Sequence, residues 1–489
     1  MKYCARQMKI ALPKGRLLQD SDAWLRRSGI ELRDYSEKSR SYRPKCSRFP
    51  DLQVKVFHEK DIPVQVAVGN YDLGVCGLDW VEELLAKYPS SALVKLWDLG
   101  YGEGELCAAT SRQSGLSSVE DIQTSINVVR MATEYPNLAE SFALNLRLRQ
   151  FKIFALWGSA EIHPPENADV VLTCQFPSDS IAEYDLVAVA TVLQSSAYLI
   201  ANRKSWESKD ISGLLEVLCC ASGVNRRQAT VCSSKTGVMS PQQVDFTSVK
   251  FPCHRQPDSV VLTPQEQLDS SKLRLALPDG HQRKPTIEFL DRAGIDTSEY
   301  AAQSRRPILG LDGVVAKVIR PQDMPLQVAN DNFDLAVTGR DWLRDHLSRF
   351  PTSPVRELLD LGFGKVKIVA AMKRDMGFRN VSDLRAGLRR GDITCLRIAS
   401  EYTNIADKYA LDNHLSPYRL IPTWGASEAF LPEDADLLIE NTETGRTLAE
   451  HDLEIIDVLF ESSACLAGGT SGDNGWGVEC IIEIMKRGL

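Results

Sequence analysis

The chain repeats itself, and this limits its fold more than any other feature. Tyr71-Asp72-Leu73-Gly74-Val75-Cys76-Gly77-Leu78-Asp79-Trp80 returns as Phe333-Asp334-Leu335-Ala336-Val337-Thr338-Gly339-Arg340-Asp341-Trp342. Leu12-Pro13-Lys14-Gly15-Arg16 returns as Leu277-Pro278-Asp279-Gly280-His281, and Trp97-Asp98-Leu99-Gly100 as Leu359-Asp360-Leu361-Gly362. Ala132-Thr133-Glu134-Tyr135-Pro136-Asn137 matches Ala399-Ser400-Glu401-Tyr402-Thr403-Asn404, and Trp157-Gly158-Ser159-Ala160-Glu161 matches Trp424-Gly425-Ala426-Ser427-Glu428. The order is kept, and the offset varies only between 262 at Asp72/Asp334 and 267 at Glu161/Glu428. Chance does not arrange five matches this way. The chain is a tandem duplication of a unit of roughly 200 residues, long enough for a two-lobed domain. The expected division is copy 1 at 7–222, a Ser/Thr/Gln/Pro-rich linker at 223–271 with a short strand at 259–262, and copy 2 at 272–489.

Within one unit, short apolar runs alternate with helical patterns. Residues 8–12 read as a buried strand, 17–25 as a helix, 52–56 as a strand and 62–68 as a helix closed by Gly69. Strands at 72–75, 126–131 and 169–172 and helices at 80–85 and 135–146 continue the alternation. This implies an α/β fold with mostly parallel sheets, in which ligands sit beyond the C-terminal ends of the strands.

A net charge of −8 argues against a polyanion-binding surface, so no nucleic-acid partner is expected. No apolar run reaches bilayer length, so no membrane association is expected. The twelve cysteines show no Cys-x-x-Cys or zinc spacing and read mostly as buried thiols. With an N-terminus lacking a secretory apolar core, they point to a cytoplasmic setting.

The stretch that carries chemistry is Asp436-Leu437-Leu438-Ile439-Glu440-Asn441-Thr442-Glu443-Thr444-Gly445-Arg446-Thr447-Leu448. A short strand ends in carboxylates, then in hydroxyls, a glycine and a guanidinium before a helix begins. Those groups suit a phosphate monoester, and the upstream acids suit sugar hydroxyls or magnesium. Alone, the pattern reads equally as an ordinary strand-to-helix turn.

Taken together the motifs resemble ATP phosphoribosyltransferase, in its short, catalytic two-lobe form. The resemblance rests on the Leu-Pro-Lys-Gly-Arg opening, Ser39-Arg40 and Ser304-Arg305, Asp-Leu-Gly-x-x-Gly-x-Asp, Glu-Tyr-x-Asn, Gly-x-x-Glu, and Glu443-Thr444-Gly445-Arg446-Thr447-Leu448. Phe460-Glu461-Ser462-Ser463-Ala464 also resembles the strand by which that family's chain returns to its first lobe. The resemblance implies two tandem two-lobed units of the type II periplasmic-binding-protein-like fold. It also implies a reaction: phosphoribosyl pyrophosphate and ATP give N1-(5-phosphoribosyl)-ATP and pyrophosphate, with Mg2+, as the first step of histidine biosynthesis. Carried over by position, Thr444, Gly445, Arg446 and Thr447 hold the 5-phosphate, and Glu440 and Glu443 lie near the ribose. Glu401 and Glu428 are substrate-binding positions of the Glu-Tyr-x-Asn and Gly-x-x-Glu motifs. Lys14 and Arg16 belong to the opening, where Arg16 faces the pyrophosphate. Arg40 and Arg305 take the place of a second such arginine. No protein metal ligand is assigned. The family usually has aspartate where Glu440 stands.

The copies depart from the pattern in opposite ways. In copy 1 the phosphate loop has become Pro177-Ser178-Asp179-Ser180, where proline removes an N–H and Asp179 puts a negative charge at the phosphate position. At about 4 Å in a partly buried site that repulsion is on the order of 4 kcal/mol. In copy 2 the basic opening has become Asp279-Gly280-His281. Two arrangements satisfy this. In one, the copies form an internal pseudo-dimer, with or without further homo-oligomerisation, and copy 1 lends arginines to one working site centred on copy 2's loop. In the other, copy 1 is a structural or regulatory relic and copy 2 works alone. The paired tryptophans Trp80/Trp342 and Trp157/Trp424 read as packing rather than adenine platforms. Two other functions remain open: a paralogous ribosyl transfer that starts a specialised purine-nucleoside (coformycin- or pentostatin-like) pathway, and a non-catalytic regulatory or binding protein.

Overall fold

The structure, a computed structural model, describes residues 8–39, 41–125, 127–177, 180–219, 272–469 and 475–489. Arg40, the Ser178-Asp179 pair and the linker with its expected strand lie outside the described residues.

The chain forms two compact units. The first is Met1–Ala155 with Ala168–Leu262, and the second is Leu156–Asn167 with Thr263–Leu489. The first contains β1 (Met8–Pro13), the ribbon strands β2 (Leu32–Arg33) and β3 (Lys45–Cys46), β4 (Leu52–Phe57), β5 (Leu73–Gly77), β6 (Leu93–Asp98), β7 (Gly104–Ser111), β8 (Val129–Thr133), β9 (Phe151–Ala155), β10 (Val170–Gln175), β11 (Leu186–Ser195) and β12 (Ala197–Asn202). They build one sheet per lobe, ordered β4-β1-β5-β12-β6 and β11-β7-β10-β8-β9. The second unit repeats this with β13 (Leu273–Pro278), β14 (Val314–Ile319), β15 (Leu335–Gly339), β16 (Arg356–Asp360), β17 (Val366–Lys373), β18 (Leu396–Ser400), β19 (Tyr418–Pro422), β20 (Leu437–Thr442), β21 (Leu453–Ser462) and β22 (Ala464–Gly468). Its sheets run β14-β13-β15-β22-β16 and β19-β18-β20-β17-β21.

The sheets are mixed for a topological reason. β1, β4 and β5 are parallel, whereas β12 returns from the second lobe and inserts antiparallel between β5 and β6. β21 and β22 do the same in the second unit, so the stretch Phe460–Ala464 spans the return between lobes. Strands covered on both faces are almost wholly apolar, as in Leu275-Ala276-Leu277 and Leu437-Leu438-Ile439, all 0% exposed. Each lobe has its own core. In the second unit one centres on Leu275, Phe289, Leu335 and Leu466, and the other on Ile368, Ile398, Tyr402 and Leu437. Of the described cysteines, Cys46, Cys76, Cys107, Cys219 and Cys465 are buried, whereas Cys395 and Cys480 are exposed. No described helix is long and apolar enough to cross a membrane.

Residues Leu156–Asn167 lie between two strands of copy 1 yet pack with the second unit, because their polar groups find partners there. Trp157 donates its N–H to the Asp323 carboxylate at 3.1 Å, and Asn167 Nδ2 donates to the Asn332 carbonyl at 2.8 Å. Glu166 accepts from Lys317 at 2.6 Å and from Arg306 at 2.5 Å. Burial pushes the Glu166 carboxyl up, but these two cations outweigh it and hold it below the usual carboxylate range. Trp157 packs 5.6 Å from Trp342 and 6.4 Å from Trp424, ring centre to ring centre.

Candidate active site

Within each unit the C-terminal strand ends of the two lobes meet. In the second unit Asp341 follows β15 and Tyr402 follows β18, and the Tyr402 hydroxyl donates to Asp341 Oδ2 at 2.7 Å. Asn441, at the end of β20, donates to the same hydroxyl at 2.8 Å and to Glu440 Oε1 at 3.2 Å. A chain of polar contacts therefore runs from one lobe through Tyr402 to the carboxylate that precedes the Thr444–Thr447 turn. The first unit has the same link, from Tyr135 to Asp79 at 2.7 Å.

The second unit concentrates acids behind the loop. Glu440 is pushed up to about 8, by burial first and then by Glu401, against hydrogen bonds from Asn441 and Ser427. Glu401 is pushed up to about 7, by burial and by Glu428, against the Gly425 N–H. Among the described residues no group of three or more His, Cys, Asp or Glu is placed to hold a metal ion. Beyond Glu440 the chain turns at Gly445 (φ +74°), whose N–H is accepted by Thr442 Oγ1 at 2.8 Å. That tie sets the turn and leads into the helix Arg446–Glu450. Glu443, Thr444, Arg446 and Thr447 are all exposed. Among the described residues Arg446 pairs with Glu450 alone, at 3.0 Å, one helical turn on.

In the first unit the corresponding residues engage one another. Leu172 pairs with Thr133 as Ile439 pairs with Ser400, so Phe176 stands in Glu443's position and Thr173 in Glu440's. Arg16 lies 4.0 Å above the Phe176 ring and bonds Glu59 at 2.9 Å and Asp79 at 3.3 Å. Burial pushes Glu59 up to about 7 despite Arg16. Glu134, the counterpart of Glu401, is paired with Lys60 at 2.6 Å. Lys14 is exposed, its ammonium 5.1 Å from the Tyr42 ring.

The opening of copy 2 differs from its sequence reading. Asp279 and His281 replace the Lys14 and Arg16 of copy 1, yet the turn has not become acidic. The Asp279 carboxylate is met by Arg305 at 2.5 Å, Arg283 at 3.6 Å and Arg320 at 4.0 Å. Burial pushes Asp279 up, but the hydrogen bonds from Arg305 and the Gly280 N–H and the charges of Arg305 and Arg320 outweigh it and hold it below the usual carboxylate range. Arg320 escaped sequence reading because it follows β14, not β13. The signal was present, since β13 and β14 pair Pro278 with Ile319 as β1 and β4 pair Pro13 with Phe57, which places Arg320 where copy 1 has His58. Asp341, Tyr402 and Asn441 were also missed as site residues.

A family model described as ATP phosphoribosyltransferase (HisG) matches residues 58–219 and again 320–486. The chain belongs to the ATP phosphoribosyltransferase family. The ATP phosphoribosyltransferase of Prosthecochloris aestuarii is 32% identical over 215 residues, covering 43% of this chain and 68% of the relative. That of Saccharolobus solfataricus is 29% identical over 225 residues, covering 44% and 72%. A solved ATP phosphoribosyl transferase (HisG:HisZ) complex from Thermotoga maritima is 21% identical, covers 44% of this chain and 98% of that chain, and superposes loosely, with a TM-score of 0.37. The two family matches fall one in each repeat. The chain is therefore a duplicated ATP phosphoribosyltransferase whose two clefts have diverged.

Proposed function

We propose that this ATP phosphoribosyltransferase-family enzyme transfers 5-phosphoribosyl from phosphoribosyl pyrophosphate to N1 of the adenine of ATP, releasing pyrophosphate, and that the second repeat carries the site. This is the first step of histidine biosynthesis. The observation that supports the location is the Thr444-Gly445-Arg446-Thr447 turn beside the half-buried Glu440, where the first repeat has Phe176 against Arg16.

The hydroxyls of Thr444 and Thr447, the open N–H groups of the turn and the Arg446 guanidinium take the 5-phosphate. Fixing that group holds the anomeric carbon in line for the adenine nitrogen, which is where much of the rate gain of such a transfer arises. Glu440 and Glu401 accept the ribose hydroxyls. Burial and repulsion from neighbouring acids raise both pKa values even against the donors from Asn441, Ser427 and Gly425, so further hydrogen bonds from sugar hydroxyls suit them. Positive charge grows on the ribose as the bond to pyrophosphate breaks, and nearby carboxylates lower that barrier. The same two carboxylates fit magnesium, which needs only one or two protein oxygens when substrate phosphates complete its shell. Bound there, magnesium would neutralise charge on the leaving group. Free thiols at exposed Cys395 and Cys480 fit a cytoplasmic setting.

The test is release of pyrophosphate, with formation of N1-(5-phosphoribosyl)-ATP, from ATP and phosphoribosyl pyrophosphate by the intact chain. Folded protein that releases none with magnesium present would end this reading.

A further inference from the structure

The repeats differ at one more position beside the cleft. In the first, Lys60 stands between β4 and the helix Ile62–Ala67, in the lobe of β1, whereas Glu134 follows β8 in the other lobe. The Lys60 ammonium reaches Glu134 Oε2 at 2.6 Å and lies 4.8 Å from the Trp80 ring, with its side chain 9% exposed. This ionic bond ties lobe to lobe, and the contact of Arg16 with Phe176 ties them a second time. In the second repeat Pro278 pairs with Ile319 as Pro13 pairs with Phe57, and the helix Met324–Ala329 follows as Ile62–Ala67 does. Gln322 therefore holds the position of Lys60, and Glu401 that of Glu134. Gln322 makes no side-chain hydrogen bond among the described residues, and its Oε1 is buried without a partner. No cation is bonded to Glu401 or placed over the Trp342 ring among the described residues. An ion pair has thus been replaced by two acceptors. Glutamine is one bond shorter than lysine, so the direct link between the lobes is not remade. A buried amide oxygen without a donor costs free energy that a ligand O–H would recover. A vicinal diol brings two such donors, one for each acceptor.

We propose that Gln322 is a substrate-contacting residue of the second repeat: it leaves that cleft unlatched where Lys60 latches the first, and its amide oxygen accepts one hydroxyl of a ribose diol while Glu401 accepts the other. The inference rests on the second repeat being the working site, and it names the exchange that separates a latched cleft from one that takes a ligand. The diol belongs either to the sugar donor or to the nucleotide. A lysine at 322 remakes the latch, pairs with Glu401 and fills the space of the diol. A glutamine at 60 undoes the latch of the first repeat and touches no substrate.

The test measures melting of the full chain without ligand, and binding of phosphoribosyl pyrophosphate and of ATP, each titrated alone by calorimetry. Gln322→Lys should raise the melting temperature by about 2 °C and weaken binding of one substrate about tenfold. Gln322→Ala removes the acceptor without making a latch, so it should weaken the same substrate about fivefold with no gain in melting temperature. Lys60→Gln should lower the melting temperature by about 2 °C and leave both affinities unchanged. The substrate whose affinity falls is the one that carries the diol. Unchanged binding of both substrates in Gln322→Lys, weaker binding there with a lower melting temperature, or a loss of affinity in Lys60→Gln would each overturn the proposal. An unmodified protein that binds neither substrate would end both the functional reading and the Gln322 contact, while the opposed melting shifts would still decide the latch.

Discussion

In the first repeat Arg16 lies on Phe176 and between Glu59 and Asp79; in the second, the same positions hold His281, Glu443, Pro321 and Asp341. Only the last acid is kept, and its situation changes with its neighbours. Asp79 is bonded by Arg16, Tyr135 and Ser195. Asp341 keeps the tyrosine, but its Oδ1 is buried with no hydrogen-bond partner among the described residues, and burial pushes its carboxyl up. The contrast teaches that a cleft can keep its charges and still have them engaged by its own side chains. Copy 1 retains more of the basic opening than copy 2, yet its guanidinium is spent on its own side chains. Copy 2 has fewer of the expected cations in sequence, and its Asp341 and Glu440 carboxyls are raised by burial with no arginine bonded to either among the described residues. Uncompensated groups are what a ligand can improve.

Four experiments would break or sharpen this comparison. Arg446→Ala removes the proposed phosphate contact of the second repeat and should lower kcat/KM for phosphoribosyl pyrophosphate by about 100-fold. Ser178→Ala, in the matching loop of the first repeat, should leave it unchanged. Equal losses in both would mean that the repeats are functionally alike. Arg16→Ala leaves Glu59 and Asp79 without their cation and should destabilise the first unit by about 2 kcal/mol. Hydrogen exchange reads this locally, and faster exchange confined to the second unit would contradict it. Phe176→Ala removes the ring beneath Arg16 and should cost the first unit about 1 kcal/mol, measured the same way, with kcat/KM unaltered.

The smallest effect is one of pH. Glu440 rises from 4.5 to about 8 on folding, so the stability linked to its neutral form is complete below pH 4.5 and is lost as the pH climbs through 8. Glu440→Gln should therefore raise the melting temperature by about 2 °C at pH 8.5 and leave it unaltered at pH 4. A gain of the same size at both values would show that Glu440 does not titrate in this range. Thr173 stands at this position in the first repeat and has no charge to titrate.

Features that are contiguous in the chain were legible in the sequence. The duplication, the return between lobes near Phe460–Ala464, and the Thr444–Thr447 turn were each read from a run of a few residues. Relations set by neighbouring strands were not. The Arg320–Asp279 approach depends on β13 and β14 lying side by side, 41 residues apart at Pro278 and Ile319. The burial that raises Glu440 and Glu401 depends on lobe packing, which a motif does not record. Arg16 matched its expected motif, yet its bonds to Glu59 and Asp79 follow from side chains that the motif does not specify.

The placement of Leu156–Asn167 has a genetic consequence. Splitting the gene at the linker would strand Glu166 on one product and leave Lys317, whose side chain is 4% exposed, on the other with a buried charge and no counter-ion from that segment. Trp342 would lose the indole of Trp157 at the same stroke. Fusion of the copies thus keeps on one polypeptide a set of contacts that a cut at the linker would divide between two.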